Sequence, residues 1–219
     1  MLKKSFFIVF LILVADQLLK IWIKTTMTLG EEIHVAGNWF ILHFTENNGM
    51  AFGLQFAGEY GKLLLSSFRI LAVGFLIWYI IKLCKKNTAF GVIFSFSLIL
   101  AGAVGNIIDS AFYGMIFSES TYFDVARMFP AEGGYNTFLH GKVVDMFYFP
   151  ILEGVYPSWV PFLGNQSFIF FRPVFNIADS SITVGVLFLL IFQRRFFYME
   201  EHENQNDASE SSSDVDEKT

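Results

Sequence analysis

Two carboxylates stand where a carboxylate is expensive to keep. Asp145 lies in Gly141-Lys142-Val143-Val144-Asp145-Met146-Phe147-Tyr148-Phe149, an apolar run whose nearest cation is Lys142. Asp179 follows Phe175-Asn176-Ile177-Ala178 at the head of a second apolar stretch. An acid isolated in such surroundings tends to hold its proton, because removal from water disfavours the charged form. Two such acids brought together can share one proton, leaving one acid and one base to activate a water molecule between them. That is what peptide hydrolysis by an aspartic dyad requires. The spacing alone does not say that the two residues meet.

Other chemistries find little footing. A single cysteine, Cys84, allows neither an internal disulfide nor a thiolate metal cage. The histidines (His34, His43, His140 and His202) lack zinc-ligand spacing, and there is no Gly-rich phosphate loop. No metal, nucleotide cofactor or nucleic-acid partner is therefore expected. Ser95, Ser97, Ser180 and Ser181 read as packing residues, since no histidine at membrane depth could activate a serine nucleophile.

The elements that carry these acids are apolar enough to cross a bilayer. Hydrophobic residues make up 54% of the 219, 28 of them phenylalanine, and the mean hydropathy is +0.50. A water-facing surface on a chain this short does not accommodate that much apolar side chain. The hydrophobicity falls in blocks at residues 5–23, 61–83, 89–108 and 173–193, each near the roughly 20 residues a membrane helix needs. The pattern predicts an α-helical polytopic membrane protein with four transmembrane helices. Lys3 and Lys4 ahead of an apolar run resemble the start of a signal peptide. However, Asp16-Gln17-Leu18-Leu19-Lys20 stands where a small-residue cleavage site is needed, so the first span reads as retained.

Basic residues set the orientation. Lys3 and Lys4, then Lys82, Lys85 and Lys86, then Arg194 and Arg195 all fall on one side of a four-span chain. The excess of Lys and Arg makes that side cytoplasmic, with both termini inside. Residues 24–60 and 109–172 are then external. Trp39–Phe44 and Val143–Leu152 are aromatic and β-branched, and Asn48-Gly49 is a turn signal, so short strands or interfacial helices are expected there. Ser118–Gly134 reads as a surface excursion. Residues 1–198 are expected to form one membrane-embedded domain. Residues 199–219 (Met-Glu-Glu-His through Glu-Lys-Thr) are expected to be a disordered, dispensable acidic tail, which carries much of the net charge of −5.

On this topology the polar groups within the spans share one depth. Asp16 lies about 18 Å from the cytoplasmic end of the first span, Asp179 roughly 9 Å below the outer end of the fourth, and Arg69 about 12 Å below the outer side. Asn106, Asp109 and Asn176 fall into the same outer layer. Charges buried at that depth usually face a bundle interior or a wet cavity. Each also has a bland role: Asp16 and Lys20 can neutralise each other at i,i+4, Arg69 can snorkel outward, and Asn106 can join helices.

At these residues the chain resembles the lipoprotein signal peptidases, the signal peptidase II family. The resemblance runs to about Phe196 and rests on motifs in a fixed order. They are Asp16-Gln17 with Lys20, Asn47-Asn48-Gly49-Met50-Ala51-Phe52-Gly53, Gly102-Ala103-Val104-Gly105-Asn106-Ile107-Ile108-Asp109, Gly141-Lys142-Val143-Val144-Asp145, and Phe175-Asn176-Ile177-Ala178-Asp179. The resemblance implies that Asp145 and Asp179 are the catalytic dyad. It implies that Asp16, Lys20, Asn47, Gly49, Asn106, Asp109 and Asn176 shape or support the site. The implied substrate is a prolipoprotein whose lipidated cysteine carries diacylglycerol, cut just before that cysteine in the bacterial inner membrane. The implied fold adds a small periplasmic β-cradle and an interfacial helix. Membrane lipids, cyclic peptide inhibitors of the globomycin type and a monomeric state are implied as well, and no cofactor is.

The chain departs from the family in two places. Ser110 stands where the family usually has arginine, so Arg69 or Arg127 is expected to supply the cation. The stretch from Ala111 to His140 is longer than is typical. Two rival readings are a small proton-coupled transporter, whose buried acids would relay protons, and a scaffold whose acids are satisfied structurally.

Overall fold

The computed structural model describes residues 1–48, 58–155, 157–159, 161–162, 164–170 and 172–191. Gly49, the rest of the motif to Gly53 and the acidic tail lie outside the described residues. Among the described residues, three helices are long and apolar enough to cross a membrane. They are α1 (Leu2–Thr26), α2 (Gly58–Lys85) and α3 (Phe90–Ile108), the last continued by a π-helical turn Asp109–Tyr113 and the short α4 (Gly114–Ile116). A shorter apolar helix, α5, runs over Ile177–Ile191. Helices α1 and α2 are longer at both ends than the apolar blocks, because polar residues beyond the blocks (Lys3, Lys4, Lys24 and Thr26 in α1, Lys85 in α2) tolerate a helix without adding to an apolar block. The fourth segment needs a correction: Val174–Phe175 is a strand, and the helix begins only at Ile177. Pro173 and the hydrogen-bonding side chain of Asn176 account for the late start.

The segments between the apolar helices build a sheet. Antiparallel strands β1 (Glu32–Ala36), β2 (Phe40–Asn47), β3 (Val143–Tyr148) and β6 (Val174–Phe175) lie in that order. A separate hairpin pairs β4 (Leu152–Val155) with β5 (Ser167–Phe170), which the Pro- and Gly-punctuated sequence did not announce. No separate interfacial helix occurs among the described residues. β3 connects the membrane helices to the sheet: it pairs with β2 on one side and with β6, which leads into α5, on the other. Across that junction Phe175 stacks on Phe149 and meets Phe147 edge-on.

Two apolar cores result. One fills the space between the C-terminal end of α1 and the sheet, with Ile23, Met27, Phe44, Val144 and Met146 buried together. The other joins α1, α2 and α3 deeper down through Val9, Ile80, Ile93 and Leu100. Large side chains such as Phe7, Phe10, Leu18 and Phe68 remain exposed on the helices, as a lipid-facing surface requires. Helix α3 approaches α5 closely at Gly102, where a Cβ atom would collide with the Ala178 carbonyl oxygen. That oxygen is backbone and cannot swing aside. Gly102→Ala is therefore expected to cost about 1–3 kcal/mol by over-packing, read as a lower melting temperature in detergent. Gly74→Ala, whose Cβ meets nothing within 4 Å, should leave the melting temperature unchanged or raise it.

Candidate active site

The first acid comes from the sheet and the second from a helix terminus. Asp145 is in the middle of β3, 5% exposed, opposite Thr45 of β2. Asp179 sits in the first turn of α5 and is partly accessible. Asn176, just ahead of that helix, ties the two elements together. Its Oδ1 accepts the Asp179 backbone N–H at 2.8 Å, as an N-cap does, while its Nδ2 donates to Asp145 Oδ1 at 2.7 Å. The Asn106 amide on α3 completes the link by donating from Nδ2 to Asp179 Oδ1 at 2.8 Å. Each acid thus accepts an amide, and the amides are joined to each other by Asn176 Nδ2 to Asn106 Oδ1 at 3.2 Å.

Beneath them lies an ion cluster. Lys20 is fully buried and pairs with Asp16 at 2.9 Å and with Asp109 at 2.8 Å, and it donates its third proton to Asn106 Oδ1 at 3.0 Å. All of its donors are therefore satisfied, which a buried ammonium requires. Asp16 reaches across to α5 and accepts the Ala178 N–H at 2.9 Å, placing negative charge at a helix N-terminus. Asp109, at the start of the π-helical turn, accepts the Val144 N–H at 3.2 Å and so fixes the strand residue next to Asp145. Single π turns inside helices recur at functional sites, and here one re-aims the end of α3. Gln17 donates to Asp109 Oδ1 at 2.9 Å and accepts the Tyr113 hydroxyl at 3.2 Å.

Of the residues expected at one depth, Asp16, Asn106, Asp109, Asn176 and Asp179 converge, joined by Lys20 and Asp145 in one connected network. Asn47 closes β2 opposite Val143, on the strand next to that of Asp145. The pairing of Asp16 with Lys20 was legible as an i,i+4 pair, but Lys20 serves Asp109 and Asn106 as well. The candidate serines are occupied otherwise: Ser97 with Ile93 O and Ser5, Ser180 with Asn176 O, and Ser181 with Leu98 O. Gln17 and Tyr113 belong to the cluster without having been singled out. The signal for Gln17 was its place beside Asp16; Tyr113 gave none, because the π turn that turns it inward has no sequence signature. Among the described residues no group of acidic, histidine or cysteine side chains could hold a metal ion.

The sequence profile of signal peptidase II matches residues 8–195. The chain belongs to the signal peptidase II family. A lipoprotein signal peptidase of Porphyromonas gingivalis is 54% identical over 185 residues, covering 84% of this chain and 80% of its own length. One of Amoebophilus asiaticus is 39% identical over 194 residues, covering 87% and 78%. Two solved structures described as bacterial membrane enzymes are similar in fold. One has a TM-score of 0.57 at 23% identity and covers 88% of both chains; the other has 0.55 at 25% and covers 86% and 91%. The chain is accordingly a bacterial membrane protein and a peptidase. The transporter alternative has no support among these relationships.

The environment of Asp145 differs from that of an ordinary carboxyl. Burial raises its pKa from 3.8 to about 7, and the nearby negative charge of Asp179 adds to the rise. Lys20 and the Asn176 amide pull in the opposite direction without overcoming it. Around neutral pH the network therefore holds a proton on Asp145 for part of the time. In linkage terms, a folded pKa above the unfolded value gives stability that is complete below about 4 and is lost as pH rises through about 7. Wild type should therefore melt at a lower temperature at pH 9 than at pH 6. In Asp145→Asn that pH dependence should shrink, as measured by thermal unfolding in detergent across the range.

Proposed function

We propose that Asp145 and Asp179 are the catalytic dyad of this signal peptidase II. The substrate is a prolipoprotein whose cysteine already carries diacylglycerol, and the bond cut lies just before that cysteine. The observation that carries the reading is the Asn176 side chain, which accepts the Asp179 N–H while donating to Asp145, so that one amide sets both acids.

Each residue then has a step. Asp179 takes a proton from water while the hydroxyl bonds to the scissile carbonyl carbon, and Asp145 gives its proton to the carbonyl oxygen. The resulting diol collapses: Asp179 hands its proton to the departing nitrogen, the C–N bond breaks, and Asp145 recovers its proton from a diol hydroxyl. The Asn106 and Asn176 amides hold the carboxyls in place throughout. Lys20 offsets the negative charge of Asp16 and Asp109 beside the dyad.

The chain crosses the bacterial inner membrane by α1, α2, α3 and α5, with both termini cytoplasmic and the site toward the outer leaflet. The sheet is the periplasmic cradle. Monomers suffice, since every group in the mechanism belongs to one chain, and globomycin-type cyclic peptides compete for the dyad. Arg69, rather than Arg127, stands in for the arginine that Ser110 lacks. Arg69 is half-buried on α2, within electrostatic range of Asp179, Asp109 and Asp145. Arg127 is exposed, and its main chain exchanges hydrogen bonds with Ser118.

Purified protein incubated with diacylglyceryl-modified prolipoprotein tests the reading by gel shift. Asp145→Asn and Asp179→Asn should each slow cleavage by on the order of 1,000-fold while remaining folded; cleavage at the wild-type rate in either variant would remove that residue from the dyad. Arg69→Ala should lower kcat by on the order of 100-fold, with Arg127→Ala unaffected. Equal, normal rates in both would leave the cation unassigned to either.

A further inference from the structure

A second buried ion cluster sits one helical turn beyond the first, and the mechanism does not use it. Asp16, Lys20 and Lys24 form a stripe on one face of α1 at i, i+4 and i+8. The first two serve the acids; Lys24 turns to the sheet. Its ammonium is fully buried, pairs with Glu46 Oε1 of β2, and donates to Ser120 Oγ at 2.8 Å. Ser120 donates to the same Glu46 oxygen at 2.9 Å. Glu46 is 2% exposed, and its other oxygen lies 3.6 Å from Lys142, with no hydrogen bond of its own. Rings of Tyr135 and Phe117 cover the Lys24 ammonium at 5.1 and 5.5 Å.

Added stability is a poor account of this cluster. Taking two charges out of water offsets most of what their attraction returns, and the best-attested use of a buried polar pair is to specify register. Register is what this part of the sheet leaves open. A shift of one residue turns every side chain to the opposite face. Apolar patterning normally forbids such a shift, but Val143, Val144 and Met146 of β3 are buried whichever face they take. The pairing also contains an irregularity next to Asp145: Leu42 faces Phe147, yet Thr45 faces Asp145, so β2 carries one extra residue. Such a bulge re-aims side chains and has to be fixed by something. Beyond it, Glu46 faces Val144 on the side of the sheet where Phe44, Val144 and Met146 meet α1. Thr45 and Asp145 are turned the other way.

We propose that the Lys24–Glu46 pair, closed by Ser120, is a register lock that positions Asp145. In the alternative register Glu46 leaves its buried cation, so only one alignment of β2 on β3 satisfies both charges, and in that alignment Asp145 reaches Asn176. Lys24 and Glu46 are positioning residues that act through β3. The proposal rests on the reading of Asp145 as half of the dyad.

The test uses the full chain in detergent, with the diacylglyceryl-modified prolipoprotein as substrate. Lys24→Met combined with Glu46→Leu leaves no unpaired charge, so the melting temperature should stay near that of wild type. KM should stay within about threefold, whereas kcat should fall by on the order of 100-fold, as misplacement of a reacting group by an ångström does. Register is read directly in a Cys84→Ser background carrying Asn47→Cys and Val143→Cys, which face each other across the strands. Oxidation should cross-link this pair readily with Lys24 and Glu46 in place and poorly with Met and Leu. If the double variant does not fold, Ser120→Ala decides, with a lowered kcat and weaker cross-linking at an unchanged melting temperature expected. Unchanged kcat and cross-linking in the folded variants would overturn the lock. Loss of cleavage in Asp145→Asn alongside fully active lock variants would remove only the lock. Wild-type cleavage by Asp145→Asn would remove the dyad reading, while the cross-link still reports on register.

Discussion

The Asn176 side chain is the contact on which the rest of the site depends. A helix that starts inside a largely apolar protein leaves its first backbone N–H groups without partners, and each must be satisfied locally. Asn176 accepts one of them, from Asp179, and Asp16 accepts another, from Ala178. Capping alone would be met by many residues. Asn176 differs because its amide nitrogen is then directed at Asp145. A cap that needs an oxygen and an acid that needs a donor are met by the two ends of one amide. Aspartate there would supply the cap but set a third negative charge against Asp145.

The second constraint is charge. Asp16, Asp109 and Asp145 are buried near one another, and Asp179 stands beside them. Lys20 compensates two of these and leaves the other two to manage on amides. The division separates the acids that meet an ammonium from the proposed dyad. Asp16 and Asp109 each meet an ammonium and a backbone N–H, which tie them into the scaffold. Asp145 meets a neutral amide and no ammonium, and burial, with the charge of Asp179 adding to it, raises its pKa. Close approach between helices is what lets one ammonium serve both scaffold acids. At Gly105 a Cβ would come within 2.9 Å of the Asp16 carboxylate, so α3 sits against α1 at the height of the cluster.

How much of this was legible depended on range. The apolar blocks, the i,i+4 pair of Asp16 and Lys20 and the isolation of Asp145 and Asp179 are local properties, and a local reading found them. The aromatic segments between the helices left short strands or interfacial helices open, and the aromatic residues and Ile41 of Trp39–Phe44 suit the strand that forms. The strand Val174–Phe175 was read as helix because two apolar residues beside an apolar block carry no period of their own. The π turn was invisible: it depends on Asp109 being drawn simultaneously to Lys20 and Val144, which are brought there by other segments. Glu46 was passed over for a similar reason. A glutamate at the end of a strand reads as solvated until α1 is seen to bring Lys24 against it.

The two ion clusters on α1 make that helix a ruler for the whole arrangement. Residues four apart on a helix rise about 6 Å along its axis, so Lys20 and Lys24 hold their partners at heights that the helix itself sets. Lys20 fixes the end of α3 through Asp109, and Lys24 fixes β2 through Glu46. β3 is hydrogen-bonded to both, to Asp109 through Val144 N and to β2 through its ladder. Asp145 is thereby located by two attachments on one rigid element rather than by the packing of a sheet whose apolar side chains would accept more than one alignment. A soluble protein could leave such a task to hydrophobic patterning. Here the strand is buried on both faces, the pattern no longer distinguishes them, and charge on the neighbouring helix supplies the discrimination that burial has removed.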